Sequence, residues 1–277
     1  MRELPRLGVG VSYRAVWGRD VLLQRDRLSC LEVIAEHYLD RTPRAERELA
    51  ELGAAFPLVP HGIGLSFGTD APLDPDHLRK VARLVERLGP PWFTEHLAYT
   101  EAHGWDVGHL APLPLTREAV DAVCRNVRLW RETVGVPLLL ENITKMVVLP
   151  GELSEAQFTT EVVERSGCGL LLDLHNLHTN AVNHGFDPFE FLETLPLERV
   201  GQIHLAGGRE DDDGYRYDSH SAPPPEPVWE LLRFVAARTE LNAVILEWDQ
   251  EQPPFEVVLR EVEKAGAILA GAGRGAA

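Results

Sequence analysis

Short apolar runs recur along the chain, and segments with helical spacing separate them. Eight runs have the length and the aliphatic content of buried strands. They are LGVGV (7–11), LEVIA (31–35), PLVPHG (57–62), PWFTEH (91–96), PLLLEN (137–142), GLLLDLH (169–175), VGQIHL (200–205) and AVILEW (243–248). Between them, segments such as 74–89 and 116–135 repeat apolar side chains with the period of a helix, which predicts helices with one buried face. The chain is therefore predicted to alternate strand and helix.

Signals for helix ends fall between the predicted strands. Ser154 followed by Gln157 forms a capping box, and Asp187 before Pro188 supplies an N-cap and a proline at the first helical position. Glycines close three of the predicted helices: Gly89, Gly135 and Gly167. Local chemistry and apolar periodicity thus predict the same division of the chain.

The strand pattern predicts an α/β fold. Continuous apolar strands are typical of parallel strands covered on both faces, and eight of them with intervening helices indicate a closed (β/α)8 TIM barrel. An open doubly wound sheet is the alternative, but it calls for a glycine-rich dinucleotide loop, and Gly8-Val9-Gly10 lacks the third glycine. We expect one domain over residues 1–270 and a disordered tail over 271–277.

Charge and composition restrict the partners. The chain has 43 acidic against 27 basic residues and a formal net charge of −16, which opposes binding to nucleic acid. Its cysteines, Cys30, Cys124 and Cys168, form no paired framework, and no apolar stretch has the length of a signal peptide core or a membrane span. The composition predicts a reduced cytoplasmic protein with no membrane as partner.

Polar side chains with metal-binding or acid–base chemistry follow the predicted strands. In a (β/α)8 barrel the C-terminal strand ends form the face where active sites are built. The candidates at these ends and in the loops after them are Glu36, His37, His61, Glu95, His96, Glu141, Asn142, Asp173, His175, His204, Asp218, His220 and Glu247. Taken singly, a residue such as His61 is more often a hydrogen-bonded core residue than a ligand, and Glu36 or Glu95 can simply pair with an arginine.

Taken together, the candidates indicate bound cations. Ionised carboxylates cannot share a buried pocket without compensating positive charge, and neutral imidazole nitrogens need a proton or a metal ion to face. A nitrogen and oxygen donor set without thiolate suits iron, manganese or zinc, and histidine with carboxylate and open positions is the pattern of non-haem iron. The candidates exceed what one ion uses, so two or three ions are predicted, with the metal left open on this chemistry alone.

Seven motifs carry a family resemblance: HGIGLS, TEHLAY, LLLENIT, LLLDLHNLHTNAVNHG, IHLAGG, DSHS and LEWD. In this order and spacing they resemble the multinuclear non-haem iron-dependent oxidative enzymes, a family typified by the methanobactin-biosynthesis oxygenase. The resemblance covers nearly the whole chain and implies a xylose isomerase-like barrel with two or three irons, Fe(II) or Fe(III). By motif, the implied metal ligands are His61, His96, Glu141, Asp173, His175, His204, Asp218, His220 and Glu247. Of these, Glu141 and Glu247 are suited to bridging two ions, and a supporting or substrate-binding role is predicted for Glu36, His37, Glu95, Asn142 and Asn176.

The resemblance also implies an activity. Known members of the family act on cysteine residues of ribosomally made peptides, so this chain is expected to modify cysteine in a ribosomal precursor peptide with O2 as co-substrate. A small partner protein that binds the peptide leader is expected as well. The segments 97–115 and 206–226 are interpreted as surface loops or as the peptide entrance.

Two positions depart from the family pattern. His175 stands where asparagine is usual, and Gly208 follows HLAG where histidine is frequent. Replacing an amide oxygen by an imidazole nitrogen gives a stronger metal ligand, so these departures leave the number of irons open.

The stretch 170–185 is predicted to be a strand followed by a loop. Residues two apart on a strand face the same side, so Asp173 and His175 are both predicted to face the barrel interior. Asn176 is interpreted as a hydrogen-bonding residue that fixes the loop, with metal ligation by its side chain as the alternative. Other histidines are interpreted as solvated loop positions: His103, His109, His178 and His184.

Two other functions fit the same residues. A divalent-metal hydrolase or sugar isomerase on this barrel would use two ions to activate water or a sugar hydroxyl, and it would not need O2. A non-catalytic scaffold would bind metal or peptide without turnover.

Overall fold

A closed barrel of eight parallel strands organises the residues that the computed structural model describes, 4–102 and 104–272. The strands are β1 (Gly8–Ser12), β2 (Leu31–Ile34), β3 (Leu58–His61), β4 (Phe93–His96), β5 (Tyr99–Ala102), β6 (Trp105–Ala111), β7 (Leu138–Glu141), β8 (Gly169–Asp173), β9 (Val200–Leu205), β10 (Gly207–Glu210), β11 (Arg216–Ala222) and β12 (Ala243–Leu246). The barrel order is β1-β12-β9-β8-β7-β4-β3-β2, closing on β1, and every barrel pair is parallel. The predicted (β/α)8 barrel is confirmed.

Helices cover the outside of the barrel. They are α1 (Gly18–Leu23), α2 (Pro43–Ala55), α3 (Pro75–Leu88), α4 (Arg117–Thr133), α5 (Glu155–Ser166), α6 (Leu174–His184), α7 (Pro188–Thr194), α8 (Glu226–Ala236) and α9 (Phe255–Ala272). Short 3-10 turns occupy Ala15–Trp17, Arg25–Arg27, Ala35–Tyr38 and Leu197–Arg199. Both hydrogen bonds of the predicted capping box form, since Ser154 and Gln157 each accept from the other's backbone N–H at 3.2 and 2.9 Å.

The barrel interior has an apolar floor beneath a polar layer. Its floor packs Leu4, Val59, Trp92, Leu139, Leu171 and Ala243 in one buried cluster. Residues two positions further along a strand point to the same side, so the strands that supply Val59, Leu139 and Leu171 next present His61, Glu141 and Asp173. The metal-ligand candidates therefore sit on a packed base at the C-terminal end of the barrel.

Two β-hairpins interrupt the barrel pattern, and the sequence pattern predicted neither. Strands β5 and β6 pair antiparallel within the segment 97–115, and β10 and β11 do so within 206–226. Each hairpin follows a barrel strand, β4 or β9, and rises from the C-terminal face. The second hairpin carries Asp218 and His220 back to the barrel mouth.

Strand β8 ends earlier than predicted. It stops at Asp173, whose side chain accepts a hydrogen bond from the backbone of Asn176 at 2.7 Å and so caps helix α6. His175 therefore lies in the first turn of a helix, and strand alternation is the wrong reason for its direction. His178 and His184 also lie on α6, with His178 buried, so the prediction of solvated loop positions for them is wrong.

The ends of the chain bear on two further predictions. Helix α9 extends through Gly271 and Ala272, which had been assigned to the tail, while 273–277 lie outside the described residues, as does His103. The assignment of 1–270 to a single domain stays a prediction. Within the described ranges, none of the helices is both long and apolar enough to cross a membrane.

Candidate metal centre

All nine predicted ligands meet at the C-terminal mouth of the barrel. Among the described residues, four overlapping groups place ligand atoms within 4.8 Å of one another. The groups are His61, His96 and Glu141; Glu141, Asp173, His204 and Glu247; His175, Asp218 and His220; and His220, Glu247 and Asp249. Glu141 belongs to the first and second groups, His220 to the third and fourth, and Glu247 to the second and fourth. The four groups therefore form one continuous centre.

The first group holds two imidazoles against one carboxylate oxygen. The Nε2 atoms of His61 and His96 lie 3.6 and 3.5 Å from Oε2 of Glu141. On the far side of each ring, Nδ1 of His61 contacts Thr94 Oγ1 at 2.8 Å and Nδ1 of His96 contacts the Gly62 carbonyl oxygen at 3.2 Å. These outer contacts leave both Nε2 atoms facing inward, as metal-binding imidazoles require.

The second group surrounds one nitrogen with three carboxylates. Nδ1 of His204 lies 3.1 Å from Glu247 Oε2, 3.3 Å from Glu141 Oε1 and 3.9 Å from Asp173 Oδ2. Glu141 thus presents Oε2 to the first group and Oε1 to the second. This geometry is that of a carboxylate able to bridge two ions.

The third group combines helix α6 with hairpin strand β11. Nε2 of His220 lies 2.5 Å from Asp218 Oδ1, and the rings of His175 and His220 meet edge to face with centroids 5.5 Å apart. Both ring nitrogens of His175 are buried and lack a hydrogen-bond partner within the described residues. Asp173 and His175, two residues apart in sequence, therefore belong to neighbouring groups.

His175 and Gly208, the two predicted departures from the family pattern, lie against each other. A Cβ atom on Gly208 would stand 2.7 Å from His175 Nε2 and 2.2 Å from the Tyr217 carbonyl oxygen. The Tyr217 backbone carbonyl by itself excludes a side chain at position 208, and the absence of a side chain there leaves space for the His175 ring.

Asp249 and Arg14 belong to the centre, although the sequence predictions named neither. Oδ2 of Asp249 lies 3.2 Å from His220 Nδ1, and Arg14 donates both to Asp249 and to Glu247 Oε1, the latter at 3.1 Å. The motif LEWD did contain a signal, because Asp249 follows Glu247 by two residues beyond the end of β12. Arg14 follows β1, a strand whose C-terminal end carries no acidic or histidine candidate.

Glu32 is a further buried carboxylate that the sequence predictions missed. It lies on β2 with no exposed surface, and its Oε2 contacts His204 Nε2 at 2.9 Å. The run LEVIA offered one signal, a charged residue inside an otherwise apolar strand.

Unpaired polar atoms and shifted pKa values fit a set of cations. Among the described residues, buried atoms without hydrogen-bond partners include Glu141 Oε2, Asp173 Oδ2, His204 Nδ1 and both ring nitrogens of His220. Burial lowers the pKa of His96, but the Glu141 and Glu95 carboxylates outweigh it and raise that pKa to about 9. The carboxylates around them likewise hold the pKa values of His204 and His220 well above the ordinary value. Protons on these rings balance the carboxylates where no metal is bound, and metal ions would replace them.

Glu36 and Glu95, two of the residues predicted to support the metal ligands, bind backbone N–H groups of the loop that follows β3. Oε1 of Glu36 accepts from the backbone N–H groups of Ile63 and Gly64, both at 2.9 Å. Oε2 of Glu95 accepts from the Leu65 backbone at 3.1 Å, and Oε1 lies 3.2 Å from His96 Nδ1. Glu95 therefore contacts a ligand candidate directly, whereas Glu36 shapes the loop.

Asn142 and Asn176 fix the junction between β7, β8 and α6. The Asn142 side chain exchanges two 2.9 Å hydrogen bonds with the backbone of Asp173. The Asn176 amide donates to the Asn142 carbonyl at 3.1 Å and accepts from Thr144 Oγ1 at 2.6 Å. Both ends of the Asn176 amide are hydrogen-bonded, so it ties the start of α6 to the chain after β7 and supports the position of Asp173.

His37 lies apart from the ligand groups. It lines a cavity of about 260 Å³ together with Tyr13, Arg14, Tyr38 and Arg44. Arg14 lines this cavity and also contacts Glu247 in the metal centre. His37 is thus a neighbour of the mouth rather than a supporting contact of a ligand.

His178 should give the fold a measurable pH dependence. Burial, followed by the Arg216 cation that donates to its Nε2, lowers the pKa of His178 to about 4. Because this value is below the unfolded value of about 6.5, the stabilisation is complete above pH 6.5 and is lost as the pH falls toward 4. We expect His178→Gln, which keeps an acceptor that cannot titrate, to lose less urea resistance than the wild type between pH 7 and pH 4.5.

Equilibrium urea unfolding in the presence of a chelator would measure this difference, with His109→Gln, an exposed position, as the control. Parallel loss of stability in the wild type and His178→Gln over this interval would contradict the assignment.

Comparisons with known proteins place the chain among peptide-modifying enzymes. A family model described as RiPP precursor modification enzyme MbnB/TglH/ChrH matches residues 8–270. A UPF0276 protein of Streptomyces avermitilis is 39% identical over 282 residues, covering 96% of this chain but only 57% of that relative. A UPF0276 protein of Caulobacter vibrioides is 36% identical over 256 residues, covering 91% of this chain and 90% of the relative.

Solved structures share the architecture at low sequence identity. D-psicose 3-epimerase from Clostridium cellulolyticum H10 has a TM-score of 0.60 at 12% identity, covering 96% of this chain and 99% of that chain. A xylose isomerase-like TIM barrel protein from Mycobacterium smegmatis, solved with magnesium, has a TM-score of 0.57 at 13% identity, covering 97% of both chains. At this identity the likeness shows the fold alone, and it confirms the predicted xylose isomerase-like barrel.

Proposed function

The chain belongs to the MbnB/TglH/ChrH family of RiPP precursor modification enzymes, and from this premise we propose that it is a multinuclear non-haem iron enzyme that uses O2 to modify cysteine residues of a ribosomally synthesised precursor peptide. The observation that carries the proposal is the Glu141 carboxylate. One of its oxygens faces His61 and His96, and the other faces His204.

Iron is one of the metals that this donor set suits, and it is the one that fits the proposed O2 chemistry. The ligand groups combine imidazole with carboxylate and contain no thiolate, the pattern of non-haem iron sites with open positions. When bound, iron would supply O2 activation and a position for a substrate thiolate. The protein's own part is to hold the ligand atoms, exclude water and orient the peptide.

The open side of the centre identifies where a peptide would approach. The Asp173 and His204 side chains are fully buried, whereas 31% of the Asp218 side chain and 42% of the Asp249 side chain are exposed. Both exposed carboxylates lie at the mouth, one on hairpin strand β11 and one just after β12. We place the peptide entrance there, and we include a small leader-binding partner protein in the proposal.

The decisive experiment combines metal analysis with turnover. Protein purified without oxygen and reconstituted with Fe(II) should bind two or three irons per chain. It should consume O2 only when a cysteine-containing precursor peptide encoded beside it is present, and the peptide mass should change. A Cys→Ser peptide is the matched control and should stop both O2 consumption and the mass change.

Two outcomes would overturn the proposal. The first is trace iron after reconstitution with no O2 uptake. The second is activity of the manganese or zinc form on a sugar such as D-psicose with O2 excluded, which would support the isomerase alternative.

A further inference from the structure

A buried carboxylate lies beneath the centre, outside the ligand groups. Glu32 projects from β2 into the barrel, between the apolar floor and the polar layer, and it has no exposed surface. Burying a carboxylate in a barrel interior is costly unless hydrogen bonds and a positive partner compensate for the lost water. Its contacts therefore indicate what it does.

Only one of the two Glu32 carboxylate oxygens is hydrogen-bonded within the described residues. Oε2 accepts from Gln202 Nε2 at 2.6 Å and contacts His204 Nε2 at 2.9 Å. Oε1 has no hydrogen-bond partner among the described residues. Glu32 is thus directed at one edge of the His204 ring.

The orientation of the Gln202 amide is fixed from the other side. Its Oε1 accepts from Trp92 Nε1 at 2.9 Å, and an indole nitrogen can only donate. The NH2 end of Gln202 therefore points toward Glu32 and His204, and the carboxylate oxygen is the acceptor in this part of the network.

These contacts determine the protonation of the His204 ring. Nε2 of His204 lies 2.9 Å from Glu32 Oε2 and 3.1 Å from Gln202 Nε2. The Gln202 amide makes its shorter contact, 2.6 Å, with Glu32, and two lone pairs 2.9 Å apart would repel, so the hydrogen between His204 and Glu32 belongs to His204 Nε2. Nδ1 is then the atom with a free lone pair when the ring is neutral. It is the nitrogen that faces Glu247, Glu141 and Asp173.

His204 differs in this respect from the first ligand group. His61 and His96 present Nε2 to Glu141. Nδ1 of His61 contacts a hydroxyl, and Nδ1 of His96 contacts a carbonyl oxygen and a carboxylate. His204 presents Nδ1 instead, and among the described residues the acceptor at its outer nitrogen is a fully buried carboxylate. An anionic acceptor on the outer nitrogen makes an imidazole a stronger donor to a metal.

We infer that Glu32 is a positioning residue for the metal centre, which selects Nδ1 of His204 as the ligand atom at the position shared with Glu141, Asp173 and Glu247. The inference needs a metal at this position but neither iron, O2 nor a peptide. Its test can therefore fail or succeed independently of the proposed function.

Cobalt(II) titration of the metal-free protein tests the inference without turnover. Glu32→Gln keeps an acceptor of the same shape and removes the charge, so we expect about tenfold weaker binding in one cobalt step. Glu32→Leu removes the acceptor as well, and the same step should weaken about 100-fold. The cobalt step assigned to His61 and His96 should stay within about twofold.

A spectroscopic signature separates positioning from simple packing. In zinc-loaded wild-type protein, the His204 Nε2–H should give a slowly exchanging, strongly downfield proton resonance coupled to the ring nitrogen. Glu32→Gln should retain a weaker form of this signal, and Glu32→Leu should lose it. Glu36→Gln is the matched control, because the Glu36 carboxylate accepts from the Ile63 and Gly64 backbone outside the ligand groups, and this variant should leave cobalt affinity and signal unchanged.

Two results would overturn the inference. One is wild-type cobalt affinity in both Glu32 variants. The other is equal weakening of every cobalt step in both Glu32 variants, with lowered thermal stability, which would make Glu32 a packing residue only. Should Glu32→Leu fail to fold, the Gln variant and its proton signal decide the question alone.

Discussion

Replacement of Glu141 by alanine is expected to remove metal from two positions at once. Its Oε2 lies 3.5 and 3.6 Å from the two Nε2 atoms of the first group, and its Oε1 lies 3.3 Å from His204 Nδ1. No other ligand candidate among the described residues is shared by these two groups. Even outer contacts of metal ligands commonly change affinity by about 10- to 100-fold, so loss of a bridging ligand should exceed that.

The measurement is the number of metal ions per chain after reconstitution and dialysis, together with precursor-peptide turnover. Glu141→Ala should retain no more than one ion and under about 1% of wild-type turnover, a loss above about 2.7 kcal/mol of transition-state stabilisation. His61→Ala is the comparison, because it removes a ligand from one group and should cost a single ion. Glu36→Gln, a loop contact outside the ligand groups, should keep the full complement. Equal metal loss in Glu141→Ala and His61→Ala would show that Glu141 does not bridge.

Removal of the metal is expected to lower the thermal stability by roughly 10 °C at pH 7.5. A ligand that binds only the folded state at about 1,000 times its Kd stabilises that state by about 4 kcal/mol. In a domain of this size each kcal/mol shifts the melting temperature by roughly 2–4 °C. The buried carboxylates of the second group also lose their cation, which acts in the same direction.

The decrease in melting temperature that follows metal removal should grow with pH. His96 has a folded pKa raised to about 9, above its unfolded value of about 6.5. In the metal-free protein its proton is therefore stabilising below pH 6.5, and that stabilisation is lost as the pH rises through about 9. Metal binding must displace this proton, so it strengthens over the same interval.

Thermal unfolding at pH 6, 7.5 and 9, with manganese(II) or with a chelator, would measure both curves. We expect the metal-free melting temperature to fall with pH while the metal-bound value changes less. A difference that is constant or that shrinks toward pH 9 would mean that the imidazoles do not exchange protons for metal. His109→Gln, at an exposed position, serves as the histidine control.

The barrel and the placement of most metal-ligand candidates at its mouth were predictable from local patterns. Each apolar run has the length of one strand, and most of the runs carry an acidic or histidine residue at or near the end that parallel strands bring to the same face. This is why His61, Glu141 and Asp173 were found from sequence. The structure brings each of them into a group of metal-ligand candidates.

Three features were not predicted correctly, each for its own reason. At the end of β8, two local patterns competed. Residues 169–175 suit a strand, and residues from 174 onward also suit a helix, and only the cap made by Asp173 decides where one ends and the other begins. The hairpins were missed because their strands are exposed and carry little apolar alternation, as in β6. Glu32 was missed because a lone carboxylate in an apolar strand does not reveal its partner, which is 172 residues away.

The sequence by itself determined which residue types stand at the mouth of the barrel. The length of each strand, the period of each helix and their order along the chain can all be read from residues close together in sequence. Tertiary structure alone decided how those residues combine. It gave Glu141 to two groups, placed Asp173 and His175 in different ones, and set Glu32 behind His204. The physical reason is that closing the barrel fixes the relative height and rotation of all eight strands, and distances of 3–4 Å between side chains depend on that closure.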